Sequence, residues 1–418
     1  MSIFVQIASY RDAQLIPTIE DLLKKAKHPE GLRLGICRQY HPNDKFDNLD
    51  RYKKDKRFRI IDIPYFQSKG ACWARNITQR LYMGEDFTLQ IDSHMRFKKN
   101  WDMIMMKMMR YLQAKGYPKP LLTGYMAAFD PYKSVPIKED DPPLYMAFDQ
   151  FTPEGVLVFK SELIPDWRHL KSPIPARFYS AGFCFTLGQF CREVQHDPEF
   201  YFLGEEISIT VRAFTNGYDL FHPNRTILWH YYGRKKSKRQ WDDDKTWTAK
   251  DRTSLKKNRL LLGIEGQGQK FNFGKYGLGQ ARSLRDYEKY AGVLFSKKAV
   301  QKYTLDKYLP PNPDVYRNEA QWLNSFLVSK RFHIRILRKD IREKDCDFWV
   351  LAFHDENDKT IFREDVTKEE IREITAQKKD FYEIHRDFYA YKTLKYWVVW
   401  PHSVSKGWCR RLTGNITR

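Results

Sequence analysis

Short apolar runs alternate with amphipathic stretches through the first hundred residues. Residues 3–8 (IFVQIA), 32–37 (LRLGIC), 58–63 (FRIIDI) and 86–91 (DFTLQI) have the length and composition of buried strands. Between the first two, Ile19, Leu22, Leu23 and Ala26 recur at helical spacing after Pro17, and Pro29 and Gly31 stop the helix. A second helix is expected over 71–81. Strand–helix alternation of this kind predicts an α/β fold, a mostly parallel sheet with helices on both faces, and ligands beyond the strands' carboxyl ends.

Further along, eight prolines between 131 and 175 argue against long regular elements over 115–180, where the clearest strands are 155–160 (GVLVFK) and 181–187 (AGFCFTL). Residues 204–216 read as a helix with Ile207, Val211 and Phe214 on one face and Gly217 as its stop. Six glycines in 263–279 predict a mobile loop. Leu309-Pro310-Pro311-Asn312-Pro313 marks a linker. The expected organisation is a catalytic domain over 1–300, a linker over 301–313 and a smaller strand-rich domain over 314–418. That last domain has strands at 332–338, 347–354 and 396–400 and a helix near 367–379. No repeat of fixed period is present.

Composition narrows the class. Of 418 residues, 42% are hydrophobic and 15% aromatic, enough for a sizeable core and too many for a disordered or collagen-like chain. No apolar run approaches the ~20 residues that span a bilayer. The opening MSIFVQIASYRD lacks the basic stretch of a signal peptide, so a cytoplasmic location is expected. The formal net charge of +21 points to anionic partners: nucleic acid, an acidic membrane surface or a phosphorylated substrate. The six cysteines form no CxxC pair, so neither a zinc ribbon nor a disulfide scaffold is indicated.

Candidate chemistry concentrates at a few places. Asp92-Ser93-His94 ends a predicted strand, and Asp oxygen with His nitrogen suits a borderline divalent ion. A lone Asp-x-His also suits a solvated turn. Glu205 and Glu206 follow Gly204 in the first turn of a helix, a position the macrodipole favours by itself. The aromatic Phe200, Tyr201 and Phe202 before them add a wall of sugar size. His230 follows an apolar strand, and Arg234 to Arg239 places five cations in six positions beside the glycine loop, a solvated face or a cover for phosphates.

Taken in order, Ser9-Tyr10-Arg11-Asp12, Arg75-Asn76, Asp92-Ser93-His94, Ala181-Gly182, Gly204-Glu205-Glu206 and His230 resemble the nucleotide-sugar glycosyltransferases of GT-A fold. More narrowly, the chain resembles the polypeptide α-N-acetylglucosaminyltransferases that modify hydroxyproline, with their bacterial and viral relatives. Tyr276-Gly277-Leu278-Gly279, Arg282-Ser283-Leu284 and Asp286-Tyr287-Glu288 are the most specific part of that likeness. The run from Gly204 to Gly217 is similar to a helix of the polypeptide N-acetylgalactosaminyltransferases. The resemblance covers about residues 1–300 and nothing beyond 314.

What it implies is a Rossmann-like GT-A domain. In it Ser9, Tyr10, Arg11 and Asp12 hold uridine and ribose, Arg75 faces the nucleotide, and Ser93 and Gly182 stand with the donor-binding residues. Asp92, His94 and later His230 hold Mn²⁺ or Mg²⁺, and Glu205 and Glu206 face donor sugar and acceptor. It also implies UDP-N-acetylglucosamine as donor, transfer with retention, and a protein hydroxyl or a glycan as acceptor. A nucleic-acid-binding basic protein is the rival from another class, although no nucleic-acid motif is present and the acidic residues repel phosphate without a metal. A catalytically inactive glycan-binding scaffold on the same fold is the third reading. Near the C-terminus, Tyr396, Trp397, Trp400 and Trp408 beside Lys406, Arg410 and Arg411 suit either peripheral contact with an acidic membrane or a buried edge strand.

Overall fold

The computed structural model describes residues 1–416 except 139, 235–236, 267–270, 378 and 392. Lys235 and Lys236 of the basic run and Gly268 of the glycine segment thus lie outside the described residues. The chain forms two compact units, Met1–Ser296 with Tyr303–Asp314 and Lys297–Lys302 with Val315–Arg418.

The first unit opens with β1 (Ile3–Tyr10), α1 (Leu15–Lys25), β2 (Leu32–Tyr40), β3 (Phe58–Pro64), α2 (Ala71–Gln79) and β4 (Phe87–Asp92). Continuing along the chain are β5 (Met95–Phe97), α3 (Trp101–Ala114), β6 (Pro120–Thr123), β7 (Ala127–Ala128), β8 (Leu144–Phe151), β9 (Leu157–Leu163), β10 (Ile174–Pro175) and β11 (Phe183–Leu187). After the short helix α4 (Phe190–Glu193) come α5 (Glu205–Thr215), β12 (Asp219–His222) and β13 (Leu228–His230).

Eight strands form one sheet in the order β10-β12-β6-β11-β4-β1-β2-β3. The strands β3, β2, β1 and β4 run parallel, and β11 is antiparallel to both β4 and β6. This is the α/β architecture expected from the alternation, with β11 set antiparallel inside it and β10 antiparallel at its edge. Val5, Ile7, Leu34, Ile36, Leu89, Ile91 and Phe185 are fully buried from this sheet, and Trp101, Met105, Met109 and Leu112 of α3 join the same core. The sequence reading places no element on 101–114; there the methionines recur at helical spacing and bury one face. It also expects only one strand before 163 in the proline-rich middle, whereas β8 and β9 form a long antiparallel hairpin. Its prolines fall outside the paired residues, where they interrupt no ladder hydrogen bond.

The register positions the site. Ala8 of β1 pairs with Asp92, so both strands end at the same edge. Beyond Asp92, β5 starts a small second sheet, where Met95 pairs with His230 of β13. A strand end and a distant strand are thus brought together.

In the second unit, Phe326–Leu337 pairs with Phe381–Ala390, and Cys346–His354 lies between Thr360–Val366 and Tyr396–Ser403. Helix Lys368–Ala376 starts at Thr367, whose side chain accepts from the Glu370 amide. Ile334, Trp349, Leu351, Phe353, Ile384 and Val399 are among its core residues. Among the described residues, no helix is long and apolar enough to cross a membrane.

Candidate active site

Asp92, at the end of β4, is the hub. Its Oδ1 accepts from Arg75 Nη2 at 2.8 Å, and its Oδ2 lies 3.2 Å from His230 Nε2. The rings of His94 and His230 meet edge to face with centroids 4.6 Å apart. One donor atom from each of Asp92, His94 and His230 lies within 4.8 Å of the others. His94 Nδ1 sits 2.7 Å from Asp12 Oδ2, which also accepts from Ser93 Oγ at 2.7 Å. A carboxylate on Nδ1 fixes the ring's tautomer and leaves Nε2 as the donor, the usual support of a metal-binding histidine. His230 Nδ1 is buried without a partner among the described residues. One carboxylate oxygen and two imidazole nitrogens fit a borderline divalent cation.

Behind Asp92, Arg75 of α2 bridges two carboxylates. Its Nη1 reaches both oxygens of Glu205 at 2.6 Å. Glu205 Oε1 also lies 2.9 Å from His196 Nδ1, and the other nitrogen of that ring is 2.7 Å from Gln90 Oε1. Cys72, His196 and Glu205 form a second grouping of metal-ligand types. All three are buried, and the carboxylate is already taken up by Arg75 and His196, so this cluster acts as an ion-pair buttress.

The neighbouring carboxyl has different surroundings. Glu206 Oε1 accepts from the Ala181 amide at 2.9 Å and Oε2 from the Tyr125 hydroxyl at 3.0 Å. Burial raises the pKa of both acids. At Glu205, the Arg75 guanidinium and His196 outweigh burial and bring it down to about 2. At Glu206, burial prevails over the two hydrogen bonds and lifts it to about 7. Burial also opposes ionisation of Asp92, yet His230, Arg75 and His94 hold it well below the usual carboxylate range. Burial lowers the pKa of His94 despite the pull of Asp12.

Two cavities meet at this hub. One, of about 430 Å³, is lined by Tyr10, Gln39, Tyr201, Arg234 and Trp241. The other, of about 380 Å³, is lined by Tyr125, Val156, Phe159, Gly182, Glu206 and Tyr232. Arg75, Asp92, Phe202 and His230 border both. A Cβ on Gly182 would stand 3.1 Å from Asp92 Oδ2, so a larger residue there crowds the hub.

The residues singled out in the sequence are thus distributed unevenly. Tyr10, Arg75, Asp92, Ser93, His94 and His230 line the first cavity, and Gly182, Glu205 and Glu206 the second. Ser9 is wholly buried, and Asp12 lies behind the wall as the support of His94. Arg11 points to Asp44 and Asp243, and the Tyr10 hydroxyl donates to the same Asp243 at 2.7 Å. Of the aromatic trio, Phe202 borders both cavities, Tyr201 one, and Phe200 packs under Lys257. The glycine segment is anchored at its far end. Arg212 of α5 donates to the Gly277 carbonyl, and a Cβ on Gly279 would lie 2.5 Å from the backbone of Thr215.

Tyr125, His196, Gln39, Trp241 and the β8–β9 hairpin were not legible as site residues. They lie far apart in sequence and carry no local motif. Tertiary packing of strands, hairpin and the short helix Gln240–Asp243 brings them to the hub.

The arrangement is a set of divalent-ion ligand types at a strand end, between a cation-bearing cavity and an apolar one. The Glycosyltransferase (GlcNAc) family model matches residues 2–57 and 45–297, and the chain belongs to that family. Similar solved structures include GalNAc-T7 with UDP, GalNAc and Mn²⁺, at 14% identity and a TM-score of 0.45, covering 69% of this chain and 54% of that one. Another is S. aureus TarS 1-349 in complex with UDP-GlcNAc, at 12% identity and a TM-score of 0.36, covering 58% of this chain and 61% of that one. The chain thus spans little more than half the length of these structures. No curated protein matches it.

Proposed function

We propose that this glycosyltransferase moves N-acetylglucosamine from UDP-N-acetylglucosamine to an acceptor hydroxyl, with retention of the α configuration and with Mn²⁺ or Mg²⁺ as cofactor. The observation that carries the reading is the meeting of two unlike cavities at Asp92, His94 and His230. These three residues hold the cation, which when bound supplies compensating charge to the departing diphosphate. Tyr10 and Trp241 offer flat surfaces to the uracil. Arg234, whose Nε is buried without a partner among the described residues, faces the phosphates.

The sugar occupies the second cavity, where Val156, Phe159 and Tyr232 exclude water. Glu205 is committed to Arg75, and Asp92 to Arg75 and His230, which leaves neither as a free nucleophile. With Glu206 placed on the acceptor, the proposed attack comes from the face that the diphosphate leaves. The acceptor oxygen bonds to the anomeric carbon as the bond to the diphosphate breaks, and its proton passes to the leaving phosphate oxygen. Glu206, held by Ala181 and Tyr125, orients the acceptor hydroxyl.

Release of UDP from UDP-GlcNAc, UDP-GalNAc and UDP-glucose, with and without Mn²⁺, tests this. Metal-dependent hydrolysis, fastest with UDP-GlcNAc, is the expected result. Absence of UDP release from every donor with every divalent ion overturns the proposal.

A further inference from the structure

The second unit contains a cavity of about 870 Å³ of its own, within the ~300–1,000 Å³ range of ligand pockets. Arg338, Arg342, Lys344, Lys368 and Arg372 line it, against the two carboxylates Glu343 and Asp345. Both carboxylates are engaged by the 403–406 turn. Asp345 accepts from Ser403 Oγ at 2.7 Å and the Ser405 amide at 2.9 Å, and Glu343 lies 3.3 Å from Lys406 Nζ. Arg338 is also occupied, donating to the Thr375 carbonyl at 3.1 Å and lying over the Tyr382 ring. Arg342, Lys344, Lys368 and Arg372 form no ion pair among the described residues, so the cations of the recess outnumber its two carboxylates, which the 403–406 turn already holds. Its inner wall is aromatic: Trp349, 1% exposed, has its ring centroid 5.6 Å from that of the partly exposed Tyr382 and its indole against the Cys346 thiol.

We propose that this cavity binds an anionic glycan segment, one bearing carboxylates or phosphates on sugar rings. Cations spaced around a recess match charges spaced along a chain, and the partly exposed Tyr382 ring on its wall offers an apolar edge to a sugar ring. A planar bilayer cannot follow a recess to its aromatic wall. That the chain is a glycan, rather than another polyanion, rests on the glycosyltransferase reading above. The cavity would hold charged parts of an acceptor polymer whose neutral hydroxyl is the one modified.

The test uses the full chain and fluorescein-labelled hexagalacturonate, with labelled dextran of equal length, inorganic tripolyphosphate and phosphatidylglycerol vesicles as comparators. Wild-type protein is expected to bind the hexagalacturonate but not the dextran. The double variant Arg342→Ala with Arg372→Ala, both exposed, should weaken that binding at least tenfold and flatten its salt dependence. The control Lys54→Ala with Lys56→Ala, exposed in the first unit, should stay within twofold. Both variants should keep wild-type UDP-GlcNAc hydrolysis.

No hexagalacturonate binding, equal loss in both double variants, or equal binding of dextran overturns the proposal. So does displacement by tripolyphosphate at concentrations far below those of hexagalacturonate, which marks a free-phosphate site. Vesicle binding that the cavity variant abolishes while hexagalacturonate binding persists assigns the cations to lipid headgroups instead. If wild-type protein hydrolyses no UDP-sugar yet the cavity variant still loses hexagalacturonate, the catalytic reading falls and the anionic-saccharide site stands.

Discussion

On the Tyr10 side of Asp92, the cavity wall holds Tyr10, Gln39, Tyr201, Arg234 and Trp241; on the Glu206 side it holds Tyr125, Val156, Phe159 and Tyr232. The first set has flat rings and a cation, suited to a base and to phosphate oxygens. The second is mainly apolar and aromatic, and its one carboxyl without a guanidinium partner is pushed up to about 7. The same contrast appears in the two consecutive glutamates. Glu205 lies against Arg75 and stays ionised, while Glu206, one residue on, has only an amide and a phenol. Helix α5 turns adjacent side chains about 100° apart, so two identical residues face separate environments. Under the proposed function, charge stabilisation and acceptor orientation would fall to different walls of one site.

Asp92 borders both cavities, and its loss has the largest expected effect. Asp92→Ala should lower turnover by about 10³-fold and abolish metal-dependent UDP binding while leaving the far-ultraviolet circular dichroism unchanged. A variant that loses turnover yet keeps metal-dependent UDP binding would break the idea of a shared wall.

Glu206→Gln tests the second cavity alone. UDP affinity should stay within twofold, and turnover should fall by about 10²-fold. Wild-type turnover should rise as pH passes through about 7, when Glu206 ionises, and the Gln variant should lose that rise. The sign for stability is opposite. Because the folded pKa is raised from 4.5 to about 7, this group's favourable contribution is complete at low pH and disappears as pH climbs through that window. Glu206→Gln should therefore gain melting temperature relative to wild type at pH 8 but not at pH 4.

The smallest effect belongs to the first cavity. Trp241→Ala should raise KM for the donor about tenfold with kcat little changed, as expected for the loss of ~1–3 kcal/mol of stacking on a base. A fall in kcat of the same size would show that the ring acts on the transfer end as well.

Much of this was readable in the sequence where local pattern and long-range consequence coincide. The apolar runs of β1, β2 and β4 are buried on both faces, so they stand out as continuous stretches, and Asp92 and His94 are found simply by reading to the end of β4 and just past it. The pattern gave no sign of β8, whose apolar, largely buried run is interrupted by Asp149 and Gln150 and flanked by Pro142, Pro143 and Pro153. Thr360–Val366 escaped for a related reason, since most of its side chains are exposed and it lacks an apolar alternation. Asp12 illustrates the limit at the site. Its place beside Tyr10 and Arg11 suggests a contact with the donor, but its direction is decided by Ser93 and His94, 81 and 82 residues away. Neighbours in sequence specify that a side chain is near the edge of the sheet; packing decides which way it turns.

The double grip of Arg75 has a consequence for the order of events. One of its nitrogens is held by a carboxylate on the common wall and the other by one that faces only the transfer cavity. In the proposed reaction, whatever neutralises Asp92 as donor and cation bind would weaken one half of that grip and change the pull on Glu205. Thermodynamic reciprocity then requires that filling either cavity alter the affinity of the other by the same factor. The guanidinium is in this sense a messenger between the two cavities, and under the proposed function it would report binding of the nucleotide end of the donor to the cavity where sugar and acceptor meet.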